Sequence, residues 1–223
     1  MTAASGNAVS AGEFSVWLHE TREALRTGAA SDVPCGTCTA CCTSSYFIHI
    51  GPNETDALAH IGEDGLIPAP GMPHGHMLMG YDHEGLCPQM SRPEEGLCAV
   101  YAHRPQTCRR YDCRVFAAVG ITAGDDKPRI NKRVEEWVFD YSDRDAHREQ
   151  DAVRAVTRFI RENASHFPGG KIPESPSQLA VLAIKVYPLF LDREHSGDSA
   201  KAAGTARAIV DAARTFDAEM PER

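Results

Sequence analysis

Eight cysteines confined to one stretch of the chain constrain this protein more than any other feature of its sequence. The first four fall within eight residues, CGTCTACC, and none occurs in the second half of the chain beyond Cys113. Cysteines that serve as small buried apolar residues would instead be scattered along a chain. The clustering therefore predicts one shared chemical role. The eight are Cys35, Cys38, Cys41, Cys42, Cys87, Cys98, Cys108 and Cys113.

A disulfide framework is the first alternative, and the rest of the sequence argues against it. The N-terminal residues lack the positive start and apolar run of a secretory signal. The longest apolar stretch, LAVLAIKVYPLFL, is interrupted by Lys185 and Pro188 and is too short to cross a bilayer. We therefore expect a cytoplasmic protein without a membrane partner, whose thiols stay reduced. Metal binding is the favoured role for the cysteines.

The spacing of the first block is typical of thiolate ligands. Cys35-x-x-Cys38-x-x-Cys41 resembles the run that holds iron–sulfur clusters in bacterial ferredoxins, and Gly36 would allow the tight loop this needs. Adjacent side chains diverge in most backbone conformations, so Cys41 and Cys42 are poorly placed to bind one tetrahedral ion. The pair predicts either two metal centres or one polynuclear centre.

The second block, from Leu86 to Cys113, reads LCPQMSRPEEGLCAVYAHRPQTCRRYDC. A helix is predicted to begin near Pro105, because proline suits the first helical turn. On a regular helix Cys108 and Cys113 would lie about 140° apart around the axis. Either the two thiols serve different centres, or the helix is broken between them.

Arginines accompany this second block. Arg104 and Arg109, with Arg110 and Arg114 beside them, are crowded around two cysteines in a chain whose net charge is −8. Several thiolates around a metal leave negative charge in a poorly solvated site, and guanidinium groups would offset that charge. We predict that Arg104 and Arg109 support the bound cofactor. The acidic balance of the whole chain argues against nucleic-acid binding.

Taken together, CGTCTACC, CPQM, GLCAVYAHRPQTCR and YDC are similar to the YkgJ-type cysteine-cluster family, whose members are described as zinc- or iron-chelating. The cysteines follow the family's order, and Met90 stands where leucine is commoner. The resemblance implies metal binding by all eight cysteines. It implies no substrate, because the family has no single established reaction. Its Y-x-x-RP-x-x-CR block is present as Tyr101, Arg104, Pro105, Cys108 and Arg109.

A histidine-containing loop, GMPHGHMLMGYDHEG, separates the two blocks. In a strand, His74 and His76 would lie on one face and could bind zinc or non-haem iron. A glycine-rich connector with exposed histidines is the alternative. His49 is expected on a half-buried strand, and His103 is close enough to Cys108 in sequence to support a ligand by hydrogen bonding.

The fold class is predicted as mainly α with short strands, in which a small metal-organised cysteine core is packed by C-terminal helices. One domain is expected, with an N-terminal helix in residues 1–30, the cysteine core in 30–120 and a helical scaffold in 121–223. Asn53 is expected to cap a short helix that ends at Ile61. Strands are expected in SSYFIHI and at the end of RINKRVEEWVFDYS. Helices are expected in SAGEFSVWLHETREALRTGAA, which ends near Gly28, and in GDSAKAAGTARAIVDAARTFDAEM. A third helix is expected in DRDAHREQDAVRAVTRFIRENASHF, with Val153, Val156, Phe159 and Ile160 facing inward.

The ferredoxin-like triplet, the adjacent pair and the arginines favour iron, either as an iron–sulfur cluster or as sulfur-bound centres. That would make the protein redox-active, or an oxidoreductase-type iron enzyme acting on a small molecule or protein that the residues do not identify. Zinc in two four-cysteine sites is the alternative and would make a structural or interaction module.

We predict that replacing His74 and His76 together by alanine leaves the cysteine-bound metal in place and removes a further metal equivalent or the activity. Eight cysteines already saturate two four-coordinate sites, so an open position would have to come from this loop. Metal analysis of the purified double variant checks this. A variant that keeps all of its metal and its activity would show the loop to be a connector.

Overall fold

A computed structural model describes residues 8–31, 33–35, 37–92, 97–191 and 199–219. Gly36, and the first two residues predicted for the last helix, Gly197 and Asp198, lie outside these ranges. The helices are α1 (Phe14–Thr27), α2 (Thr55–Ile61), α3 (Gln106–Arg110), α4 (Arg114–Val119), α5 (Pro128–Glu136), α6 (Arg144–Glu162), α7 (Pro176–Val186) and α8 (Ser199–Ala218). The strands are β1 (Val9–Glu13), β2 (Ile48–Ile50), β3 (Leu66–Pro68), β4 (Met77–Met79), β5 (Met90–Arg92), β6 (Leu97–Cys98) and β7 (Trp137–Asp140).

The chain forms two compact units. The first, here called the helical unit, comprises Met1–Ala29, Cys113–Asp126 and Val134–Arg223. The second, here called the cysteine unit, comprises Ala30–Asp112 and Lys127–Arg133. Seven of the eight cysteines therefore belong to the cysteine unit, and Cys113 belongs to the helical unit.

The helical unit buries the apolar faces of α1, α4, α6, α7 and α8 against one another. Val153, Val156 and Ile160 of α6 are fully buried, which confirms the inward face predicted for that helix. Asp143 caps α6 by accepting a hydrogen bond from the Ala146 N–H at 2.9 Å. Strands β1 and β7 pair in parallel, and the ring of Phe14 meets that of Phe139 edge-on at 5.1 Å.

The cysteine unit is built on a three-stranded antiparallel sheet with the order β2-β4-β3 and on the β5–β6 hairpin. Helix α2 contributes Ala57 and Ile61 to a small apolar core. The half-buried thiol residues Cys87 and Cys98 pack against this core, so the cysteines are part of its packing. The core consists of Ile50, Ala57, Ile61, Met79 and Val100.

The prediction of a mainly α fold with short strands is confirmed. Helix α1 ends at Gly28 as expected, where φ is +73° and the Gly28 N–H donates to the Ala24 carbonyl. The predicted strands at β2 and β7 are present. Among the described residues, no helix has both the length and the apolar character that crossing a membrane requires.

Two local expectations have clear outcomes. The segment after Pro105 is broken between Cys108 and Cys113, because Tyr111 is extended, with φ −76° and ψ 109°. The prediction that Asn53 caps α2 is wrong, because Glu54 occupies that position without a side-chain cap. The Glu54 carboxylate instead accepts hydrogen bonds from the N–H groups of Gly51 and Gln106.

We predict that Ile50→Ala lowers the free energy of unfolding of the metal-loaded protein by about 2–5 kcal/mol, because a fully buried side chain is lost from a small core. Ile67→Ala, in another strand of the same sheet, is the matched control. Its side chain is 52% exposed, so the change should cost less than about 1 kcal/mol. Urea unfolding of both variants checks the difference, and equal losses would contradict it.

Candidate metal centre

The backbone of the cysteine unit brings the two cysteine blocks together. The Cys87 N–H donates to the Cys42 carbonyl at 2.8 Å, and the Ser31 N–H donates to the Arg109 carbonyl at 2.9 Å. Helix α3, which carries Cys108, is held to strand β2 because the Thr107 hydroxyl donates to the His49 carbonyl at 2.7 Å. Segments distant in sequence thus converge on one region.

Cys42 is electrostatically coupled to most of the other cysteines in this unit. Its sulfur lies 3.9 Å from that of Cys41, and the two share a hydrogen bond. Because Cys42 accepts this hydrogen bond, its pKa is lowered to about 7. The positive charge of Arg104 lowers the pKa of Cys42 by a smaller amount. As donor, and because it is also buried, Cys41 has a raised pKa. Negative charge on Cys42 further raises the pKa of Cys35, Cys41, Cys87, Cys98 and Cys108.

Burial is the largest influence on the pKa values of Cys35, Cys87, Cys98 and Cys108. Loss of solvation raises the pKa of Cys87 to about 11 and that of Cys108 to about 12, and it also raises the pKa values of Cys35 and Cys98. All eight cysteines are free thiols and half-buried. Half-buried thiols that repel one another when ionised form a donor set that a metal cation would stabilise as thiolates.

The two arginines predicted to support a cofactor occupy different places. Arg104 lies close enough to lower the pKa values of Cys35, Cys42, Cys98 and Cys108, and its guanidinium carbon is 3.7 Å from the centre of the Tyr101 ring. Arg109 instead donates to the carbonyl groups of Ala102 and Arg104. Arg109 thus holds the turn that positions Arg104.

The segment Lys127–Arg133 adds polar contacts that the sequence did not lead us to expect. The Arg133 Nε donates to the Cys38 sulfur at 3.2 Å. Lys127 Nζ donates to the Ser44 carbonyl at 2.9 Å, and its ammonium lies 4.6 Å from the centre of the Tyr46 ring. A positive segment remote in sequence therefore contacts the first cysteine block.

Cys113 has its own hydrogen-bond donor within the helical unit. The indole Nε1 of Trp137 donates to its sulfur at 3.1 Å. Hydrogen bonds of this kind stabilise thiolate charge and are common around metal-bound sulfur. The expectation that Cys113 joins the other seven cysteines stays a prediction.

The histidine loop is a series of turns, and strand β4 begins only after His76. Gly75 between the two histidines has φ +91°, and a Cβ there would meet the Pro52 side chain at 3.0 Å. His74 is exposed. His76 Nδ1 lies 2.9 Å from His49 Nε2, and the two rings are stacked. The loop thus brings His76 to His49 on strand β2.

His103 does not contact Cys108 through any hydrogen bond described here. Its Nδ1 lies 2.8 Å from Asp56 Oδ2, and its ring stacks on that of His60. Among the described residues, this trio is the one group of three or more histidine, cysteine or acidic side chains whose ligand atoms all lie within 4.8 Å of one another. Among the cysteines that the structure describes, no three sulfurs lie within 4.8 Å of one another.

Residues 34–135, just under half of the chain, match a family whose description reads "CxxCxxCC: Putative zinc- or iron-chelating domain". The match includes all eight cysteines. The match runs past Cys113 and includes Arg133, whose guanidinium contacts the Cys38 sulfur. No curated protein and no solved structure matches the chain.

In the metal-free, reduced protein, we predict that iodoacetamide modifies Cys42 at least about tenfold faster than Cys108 at pH 7, since reactivity follows the thiolate fraction. Arg104→Ala should slow the reaction of Cys42, because removing the guanidinium raises the pKa of that thiol. Arg110→Ala changes an exposed arginine of the same segment and is the control. Mass spectrometry at timed intervals gives the rates, and equal rates at Cys42 and Cys108 would refute the prediction.

Proposed function

We propose that the CxxCxxCC domain holds iron through cysteine thiolates, as an iron–sulfur cluster or as sulfur-bound iron centres, and that the protein is redox-active or an iron-dependent enzyme. The family description covers both zinc and iron. The donor set of this chain favours iron over zinc.

The spacing of the thiols is the observation that carries the proposal. A closed tetrahedral zinc site with four thiolates, whose Zn–S bonds are about 2.3 Å, holds its sulfurs about 3.8 Å apart. The sulfurs of Cys41 and Cys42 are 3.9 Å apart, and no three sulfurs of the described residues lie within 4.8 Å of one another. A centre with several metal atoms fits this wider set better, because its thiolates bind different atoms.

The surroundings of the thiols also favour a charged, redox-active centre. Arg104 lies within electrostatic range of several thiols, and Arg133 donates directly to the Cys38 sulfur. Hydrogen bonds and positive charge near cluster sulfurs raise the reduction potential, because they favour the more negative, reduced state. Structural zinc is redox-inert, so at a zinc site these groups would offset thiolate charge without adjusting a reduction potential.

The chain would contribute holding, shielding and charge compensation. Cys35, Cys38, Cys41, Cys42, Cys87, Cys98 and Cys108 are the candidate ligands in the cysteine unit, with Cys113 as a candidate from the helical unit. Packing of Cys87 and Cys98 against the apolar core limits the access of water to the sulfurs. When bound, iron in such a thiolate set supplies one-electron transfer.

Anaerobic purification followed by metal analysis, assay of acid-labile sulfide and a visible spectrum tests the proposal. We expect iron with inorganic sulfide, or iron alone for sulfur-bound centres, and visible absorption that changes on reduction. Stoichiometric zinc with no visible absorption would overturn it and identify a structural or interaction module.

We further predict that Cys38→Ser and Cys108→Ser each lower both the metal content and the soluble yield, because metal binding is part of the folding free energy of a loop-rich site. Ala99→Ser is the control, since it places a serine at an exposed position of the same unit and keeps every thiol. Normal metal stoichiometry in both cysteine variants would contradict the assignment of these ligands.

A further inference from the structure

A second cluster of metal-ligating side chains lies in the cysteine unit and uses none of the thiols. Asp56 and His60 are four residues apart on α2, which places both side chains on one face of that helix. His103 reaches them from the end of the short 3-10 helix Tyr101–His103. One ligand atom from each of the three lies within 4.8 Å of the other two.

The carboxylate of Asp56 is within contact distance of both imidazoles. Its Oδ2 is 2.8 Å from His103 Nδ1, and its Oδ1 is 3.4 Å from His60 Nδ1. Ligands that bind one cation at about 2.0–2.2 Å lie about 3–3.5 Å from each other. These two separations are therefore close to those that a shared cation would impose.

We propose that Asp56, His60 and His103 form a labile binding site for a divalent first-row transition metal, distinct from the thiol cluster. Two imidazole nitrogens and one carboxylate oxygen are a donor set suited to Zn²⁺, Fe²⁺, Co²⁺ or Ni²⁺. Three protein ligands leave coordination positions open to water or to a small ligand. This assignment is independent of the metal that the cysteines hold.

The charge around the trio favours a cation, with one opposing group. The hydrogen bond with His103 is the largest cause of a lowered pKa at Asp56, so this carboxyl is held as the anion that binds metal. Arg109 also lies within electrostatic range of Asp56, and its positive charge weakens cation binding. The site therefore binds a cation more weakly than the same three ligands would without Arg109 nearby.

The arrangement of the rings explains why the site is labile. The imidazoles of His60 and His103 are stacked with centroids 3.4 Å apart and planes 4° from parallel. His60 Nδ1 also lies 2.8 Å from the Asp56 carbonyl oxygen. For both lone pairs to point at one ion, the rings must tilt apart and this hydrogen bond must open. All three side chains are at least 38% exposed, so they are free to make that rotation.

The test uses the full chain with its cysteine-bound metal in place and Co²⁺ as the probe. Anaerobic titration is followed by calorimetry and by absorption spectroscopy. We expect one additional equivalent of Co²⁺ with visible bands and without the near-ultraviolet charge-transfer band that thiolate ligation produces. His60→Ala and His103→Ala should each weaken this binding at least about tenfold, and Asp56→Asn should weaken it while preserving side-chain shape.

His83→Ala is the matched control, because it removes an exposed histidine of the same unit that lies outside the trio. Unchanged circular dichroism and cysteine-bound metal content establish that each variant is folded. His60→Ala changes a surface side chain, so it remains informative if His103→Ala does not fold. Wild-type Co²⁺ affinity in the His60 and Asp56 variants, a thiolate charge-transfer band, or no additional Co²⁺ in the wild type would each overturn the proposal.

Discussion

Mutual repulsion among half-buried thiolates is the physical constraint on which the cysteine unit depends. Ionised sulfurs lose solvation on burial and raise one another's pKa values, as the effect of Cys42 on its neighbours illustrates. A fold that gathers them must supply positive charge or hydrogen bonds. Here Arg104 and Arg133 provide both, and Arg109 holds the turn that carries Arg104. Much of the polar structure of the unit can be understood as a response to this one requirement.

Local signals in the sequence predicted local structure well. Gly28 ends α1 because glycine adopts positive φ at little cost, and the apolar spacing of α6 identified its buried face. The sequence also indicated that the helix could break between Cys108 and Cys113, since a regular helix would place the two thiols on different faces. The cap of α2 was missed because Glu54 uses its carboxylate on the Gln106 N–H, which a local pattern does not contain. The parallel pairing of β1 with β7 joins opposite parts of the chain and has no local signal either.

The residues of the candidate site also divide into those that the sequence indicated and those that only the structure revealed. Clustering in sequence was sufficient to propose the cysteines as metal ligands, because few other roles concentrate thiols so strongly. The spacing of Asp56 and His60 is recognisable as one helical turn, but the position of His103 beside them depends on tertiary packing. Arg133 and Trp137 each donate to a sulfur from beyond the last cysteine. Their contribution required a structure, although the family match to residue 135 already extends over Arg133.

The return of the chain to the cysteine unit at Lys127–Arg133 has a consequence for biosynthesis. The chain leaves this unit after Asp112, so every thiol emerges from the ribosome before the residues that contact Cys38, Thr43 and Ser44. The Arg133 hydrogen bond to Cys38 is therefore made late in translation, whereas Arg104 is synthesised before it. A fragment that ends at residue 120 would retain all eight cysteines and lack the segment that neutralises the first block. A fragment that keeps these contacts must accordingly extend at least to Arg133.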